Sequence, residues 1–268
     1  MSLPLLLQTW RWQRTTLLVV GLVAFGWGLL LPLVYATFAD ALSQMAQSGM
    51  LPEELLSMGS GNFFSLPGAL TLGLQHPLSL ALLGIFAVGA TSTAVAGERQ
   101  RGTLEVLLAR PLSRTTVYAT LAIGLLVVVA LVMAALVGGM ALGSVLQGVA
   151  DEIDTAQLPL VFANGLMLWA AFAAFGLAAS VSFDRAGPAI GLSLAYLLAN
   201  YFLEILGSLW TDVDWSQEYS LMHHFQPGEI LTGAFDPIDL VILGVAIAIP
   251  VIYAVIVFPR RDLHSGGR

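Results

Sequence analysis

The chain has 268 residues, of which 57% are hydrophobic and only 10% charged, and its net charge is −7. A soluble domain is roughly a quarter charged, so this much apolar surface has to face lipid. There is no cysteine and no lysine, all ten basic residues being arginine; this excludes disulfides, thiol nucleophiles and cysteine-type zinc sites, and it excludes a P-loop, which ends in G-K-[ST].

The chain opens with Leu5, Leu6, Leu7, Trp10, Arg11, Trp12 and Arg14. Apolar bulk beside tryptophan and arginine suits the headgroup layer, and it predicts a short helix lying on the membrane surface. Six apolar stretches follow, at 15–37, 77–97, 115–142, 159–183, 188–210 and 238–258. Each approaches or exceeds the ~20 residues that a membrane-spanning helix needs. Runs such as Leu121–Leu136 are continuously apolar rather than alternating, so helices are expected and not barrel strands. The first run is about twice the length of a signal-peptide apolar region, so it is expected to stay as a span.

The charges orient this six-span arrangement. Arg11 and Arg14 precede span one; Arg99, Arg101, Arg110 and Arg114 follow span two; Arg185 follows span four; Arg260, Arg261 and Arg268 follow span six. With six spans all four segments fall on one side, which the positive-inside rule makes cytoplasmic, termini included. The loops 38–76, 143–158 and 211–237 fall on the other side and carry carboxylates but no arginine. The expected fold is therefore an all-α, polytopic protein of six transmembrane helices forming one domain over residues 1–268, in the cytoplasmic (plasma) membrane. Small residues punctuate the spans: Ala170, Ala174 and Ala178 in span four, Gly139 and Gly143 at the end of span three, Gly187 and Gly191 at the start of span five. Such spacing lets helices approach closely in lipid. Within the spans Glu204 is the one clear ionisable residue, and an intramembrane charge is expected to face protein or water. His223 and His224 are adjacent, cannot both address one metal without a bend, and read as loop residues.

The most informative segment joins spans two and three: Gly97-Glu98-Arg99-Gln100-Arg101-Gly102-Thr103-Leu104-Glu105-Val106-Leu107-Leu108-Ala109-Arg110-Pro111-Leu112-Ser113-Arg114. Gly102 ends span two, and Thr103 is a good N-cap. Glu105 suits the first turn of a helix. Leu104, Leu107 and Leu108 share one face, Pro111 stops the helix, and Ser113 caps span three. A helix this short needs a partner surface to be stable. Glu98, at a helix end where the dipole disfavours an anion, is expected to pair with Arg101 or Arg114.

This run resembles the signature loop of type-2 ABC transporter permeases, in which an acidic residue ends span two and is followed by G-T-L-E-x-L-L, a proline and S-R. Glu98, Gly102, Thr103, Leu104, Glu105, Leu107, Leu108, Pro111, Ser113 and Arg114 match that pattern. The tail Phe258-Pro259-Arg260-Arg261-Asp262-Leu263 is similar to the family's ending. A G-K pair usual at the start of span three is missing at Ala119-Thr120-Leu121. The resemblance implies an exporter subunit that is not itself an enzyme and holds no cofactor. ATP and Mg would be bound by a separate cytoplasmic ABC ATPase. The helix at 103–110, with Arg110 on its rim, would be the coupling helix seated in that ATPase, and the N-terminal surface helix would be the family's elbow helix. A second copy or a sister permease would complete the assembly, surrounded by membrane lipid and with no nucleic acid. Glu204 would face the translocation path. The competing classes are a secondary transporter or channel, which would carry several ionisable residues in its spans, and an intramembrane enzyme, for which Ser92 and Ser180 lack a histidine at matching depth.

Overall fold

The computed structural model describes residues 3–48, 65–104 and 113–261, and every regular element among them is helical. Five helices are long and apolar enough to cross a bilayer. In chain order, with the shorter elements between them, they begin with α1 (Leu3–Gln47), followed by α2 (Leu66–Gln75), α3 (Pro77–Thr93) and α4 (Ala96–Gln100). Then come α5 (Arg114–Gln147), α6 (Leu158–Ser182), α7 (Ala186–Leu209), α8 (Pro227–Thr232) and α9 (Ile238–Arg260). The pair α2 and α3, bent by 48°, is together long and apolar enough for a sixth crossing if it counts as one span.

α1 differs from expectation. The surface helix and span one are a single uninterrupted helix of 45 residues, about 68 Å at 1.5 Å per residue against ~30 Å of hydrocarbon. After Pro4, which sits harmlessly in the first turn, no glycine or proline occurs before Gly21, so nothing interrupts the backbone hydrogen bonds. Leu5 and Thr9 are buried, so this end leans on the protein. α1 runs beside α5, itself 34 residues long, and small residues set the spacing. A Cβ on Gly28 would lie 2.1 Å from the Leu136 carbonyl oxygen, and one on Gly139 would lie 2.2 Å from that of Phe25. Gly139 and Gly143 thus serve packing within the chain, whereas a Cβ on Gly187 or Gly191 would meet no other part of the described chain within 4 Å.

The second span also differs. Residues 66–75, expected in an outer loop, form α2: Ser65 caps it, and Leu66, Leu70 and Leu74, one turn apart, are almost wholly buried. Pro77 then bends the chain. It has no N–H for the carbonyl of Gly73 four residues back, and a bare carbonyl at this depth would be costly. Ser79 Oγ (2.6 Å) and Trp27 Nε1 (3.1 Å) donate to it instead. Further along, Ile85–Ala90 is π-helical, and the helix breaks again at Ala94–Val95. There Ser180 Oγ accepts the freed N–H groups of Val95 (2.9 Å) and Ala96 (3.0 Å). Ser180 is therefore a staple between α6 and span two.

α6 lies at the centre, with Trp169 and Phe172 buried in the main apolar cluster. α7 and α9 direct side chains such as Phe202 and Ile249 outward. The predicted sidedness has a tertiary counterpart. Tyr35 bonds Glu152 (2.6 Å), the Asp154 N–H bonds the Leu231 carbonyl (3.4 Å), and Gln75 bonds the Phe225 carbonyl (3.1 Å), so all three acidic loops meet at one end. The arginine-bearing segments meet at the other.

Candidate functional site

The signature loop leaves span two through α4. Gly102 takes the left-handed conformation, φ +71°, and the Thr103 N–H returns to the Glu98 carbonyl (3.0 Å) while the Gly102 N–H reaches that of Arg99 (3.0 Å). This is a glycine C-cap that reverses the chain. Glu98, mostly buried, is held by the Arg101 guanidinium and by the Thr103 hydroxyl, which donates to Oε2 at 2.5 Å. Of the two arginines expected to pair with Glu98, Arg101 is the one that does.

Leu104 is 2% exposed and lies in an apolar cluster with Val117, Tyr118, Leu121 and Val181 of the same chain. Leu104 of the expected leucine face thus packs against its own chain. The reversal at Gly102 turns Leu104 inward, against the start of α5. Glu105, Leu107, Leu108, Arg110 and Pro111 lie outside the described residues. On the far side of that segment Ser113 caps α5, its hydroxyl accepting the Thr116 N–H at 3.1 Å. Arg114 reaches across to the tail, donating through Nη1 to the carbonyls of Pro259 (3.1 Å) and Arg261 (2.7 Å).

Two arginines then converge on one carboxylate. Asp184 Oδ1 receives Arg99 Nη1 at 2.8 Å and Arg261 Nη2 at 2.9 Å. Arg261 also donates to the Val181 carbonyl (2.5 Å), and Gln100 Oε1 accepts the Ala186 N–H (2.9 Å). The Arg99 side chain is 11% exposed, and its Nε and Nη2 have no hydrogen-bond partner among the described residues. Sequence reasoning did not single out Asp184 or Gln100. For Asp184 a signal existed: it is one of four carboxylates among the arginine-bearing segments, with Glu98, Glu105 and Asp262. An acid set among arginines points to an ion pair.

Glu204 sits at the opposite end, lining a cavity of about 610 Å³ between α7 and the acidic loops. Gln217 Nε2 donates to its Oε1 at 3.2 Å, and His223 Nδ1 is 3.8 Å from the same oxygen. Glu204 Oε2 has no hydrogen-bond partner among the described residues. The His223 pKa is raised, chiefly by its contact with Glu204; burial opposes the rise, and the fields of Asp239 and Glu229 add to it. His224 turns away to Asp239, Nδ1 to Oδ1 at 2.7 Å. The two histidines thus serve different carboxylates, and no cluster of three or more metal-ligating side chains occurs among the described residues.

The family model described as ABC-2 family transporter protein matches residues 7–263. No curated protein matches the chain.

Proposed function

The chain belongs to the ABC-2 transporter family, and from that premise we propose that it is the permease subunit of an exporter driven by a separate cytoplasmic ATPase, which binds the ATP and Mg. The observation that carries this reading is the anchoring of the signature loop at both ends. Glu98, Arg101 and Thr103 lock the entering turn, and Ser113 and Arg114 lock the exit onto the C-terminal tail. Movement of segment 105–112 would therefore be felt along three lines. One runs up span two, whose bend, π-helical segment and break are natural places to flex. The second runs up α5, and the third runs through Asp184 to the α6–α7 turn and α9.

In this reading Leu107 and Leu108 carry the partner-facing surface, with Glu105 and Arg110 on its rim and Pro111 ending the helix. A second copy or a sister permease completes the path, and Glu204 faces its outer mouth. The experiment is co-purification of the ATPase with a Leu107→Asp chain. Burying one leucine is worth roughly 1.5–3 kcal/mol, and an unpaired buried charge costs more than the lost contact. The variant should insert normally, lose at least tenfold in ATPase affinity and stop transporting. A well-folded Leu107→Asp protein that still binds and couples its ATPase overturns the assignment.

A further inference from the structure

A cavity of about 680 Å³ opens on the arginine face between the first turns of α1, the end of α3, the signature turn and α5. Its size is within the ~300–1,000 Å³ usual for a ligand site. Part of its lining is apolar, made by Leu5, Ala90, Ala94, Leu121 and Leu125, with Thr9 and Thr93, whose hydroxyls are bonded to helix carbonyls. Another part is polar: Gln8, Gln13, Thr103 and the ion pair of Glu98 with Arg101. Trp12 stands at the rim, 64% exposed, as an indole does at the headgroup level. The Arg101 side chain is 60% exposed, so its guanidinium has donors to spare beyond Glu98.

We propose that this cavity seats one inner-leaflet glycerophospholipid with an ethanolamine headgroup, held between α1 and the signature turn. An acyl chain lies along the leucine and alanine wall, where apolar burial favours it. The phosphate meets Arg101, and the primary ammonium meets Glu98 and the side-chain carbonyls of Gln8 and Gln13. The pairing selects the headgroup. A choline headgroup has no N–H to donate, and a glycerol headgroup leaves Glu98 facing a net negative lipid. Because Glu98 and Arg101 form the turn that leads into the signature loop, the lipid also sets the stiffness of that turn. This last step rests on the reading of the loop as the ATPase-coupling element.

The test uses the permease with its ATPase in nanodiscs of phosphatidylethanolamine mixed with phosphatidylglycerol, phosphatidylcholine or diacylglycerol. Native mass spectrometry after extraction reports the bound lipid, and ATPase rate is read on the same samples. The expected result is retention of phosphatidylethanolamine at about one per chain, at least tenfold over the other three, a ratio equivalent to roughly 1.4 kcal/mol. Ala94→Phe, which fills the apolar wall, and Gln8→Leu, which removes a headgroup acceptor, should each lower retention about tenfold and flatten the ATPase response to phosphatidylethanolamine. Equal retention of all four lipids, or unchanged retention by both variants, overturns the proposal. Glycerophosphoethanolamine displacing the lipid at millimolar concentration would also overturn it, because the headgroup alone would then be the ligand. Failure of the ATPase to bind at all, with lipid retained, would instead strike the coupling reading and leave the lipid seat standing.

Discussion

Arg114, the last residue of the signature loop, donates its guanidinium to the backbone carbonyl of Arg261 in the C-terminal tail at 2.7 Å. The two residues are 147 positions apart and belong to the two sequence runs that stood out separately. The tail is therefore a structural part of the loop's base, and Asp184 closes the arrangement by holding Arg261 and Arg99 on one oxygen.

Asp184→Asn should loosen this base. Asp184 is itself largely exposed, so its pair with Arg261 contributes little after solvent screening. The effect comes from Arg99, whose nearly buried guanidinium would lose its charged partner; leaving such a group unsatisfied costs roughly 1–3 kcal/mol. The expected outcome is a thermal midpoint lowered by a few degrees. Faster amide exchange at the α6–α7 turn and the end of α9 should accompany it, with the acidic end unchanged. Uniform exchange across both ends would contradict this.

Leu104 and Leu107 should behave as opposites. Leu104 is buried in its own chain, so Leu104→Asp places a charge in an apolar cluster and costs more than the roughly 3 kcal/mol of a lost leucine contact. It should express poorly and aggregate in detergent, whereas Leu107→Asp should fold and lose only its ATPase. Size-exclusion profiles beside pull-down separate the two, and a monodisperse Leu104→Asp chain would contradict the burial.

Gly139→Val should separate α1 from α5. The added side chain meets the Phe25 carbonyl, which is backbone and cannot rotate away. Overpacking of this kind costs about 1–3 kcal/mol. Gly187→Val, where a Cβ would meet no other part of the described chain within 4 Å, should leave the thermal stability of the isolated chain unchanged. A distance probe between the ends of α1 and α5 should lengthen for Gly139→Val alone.

The end where the acidic loops meet should depend on pH through His223. Its pKa is raised by Glu204, with Asp239 and Glu229 adding and His224 beside it occupied by Asp239. A raised folded-state value means that the contact contributes fully below the ordinary value of about 6.5 and fades as pH climbs through the raised one. His223 is partly exposed, so the gain is below about 1 kcal/mol. Thermal midpoints should fall as pH rises past about 6.5, and Glu204→Gln should flatten that slope. An unchanged slope in Glu204→Gln would remove the pair as its origin.

Hydropathy and charge determined that the chain is a set of long membrane-crossing helices and which segments share a side, because lipid demands long apolar helices and arginines collect on one side of a membrane. The signature run was legible for the same local reason: Gly102 must adopt a positive φ, and Ser113 caps the helix that follows. Only the tertiary structure decided what these residues touch. The surface helix runs on into span one because no proline or glycine lies between Pro4 and Gly21, and the long face of α5 is there to lean on; Pro32 lies further along the same helix. α2 is a buried helix because α1 supplies Trp27 to satisfy the carbonyl freed by Pro77. Leu104 turns inward because the chain reverses at Gly102, which periodicity cannot reveal. Asp184 gathers Arg99 and Arg261 from 85 and 77 positions away. Local pattern reports which face a residue prefers, whereas the partner on that face is chosen by chain segments far away in sequence that folding brings to the same end of the membrane.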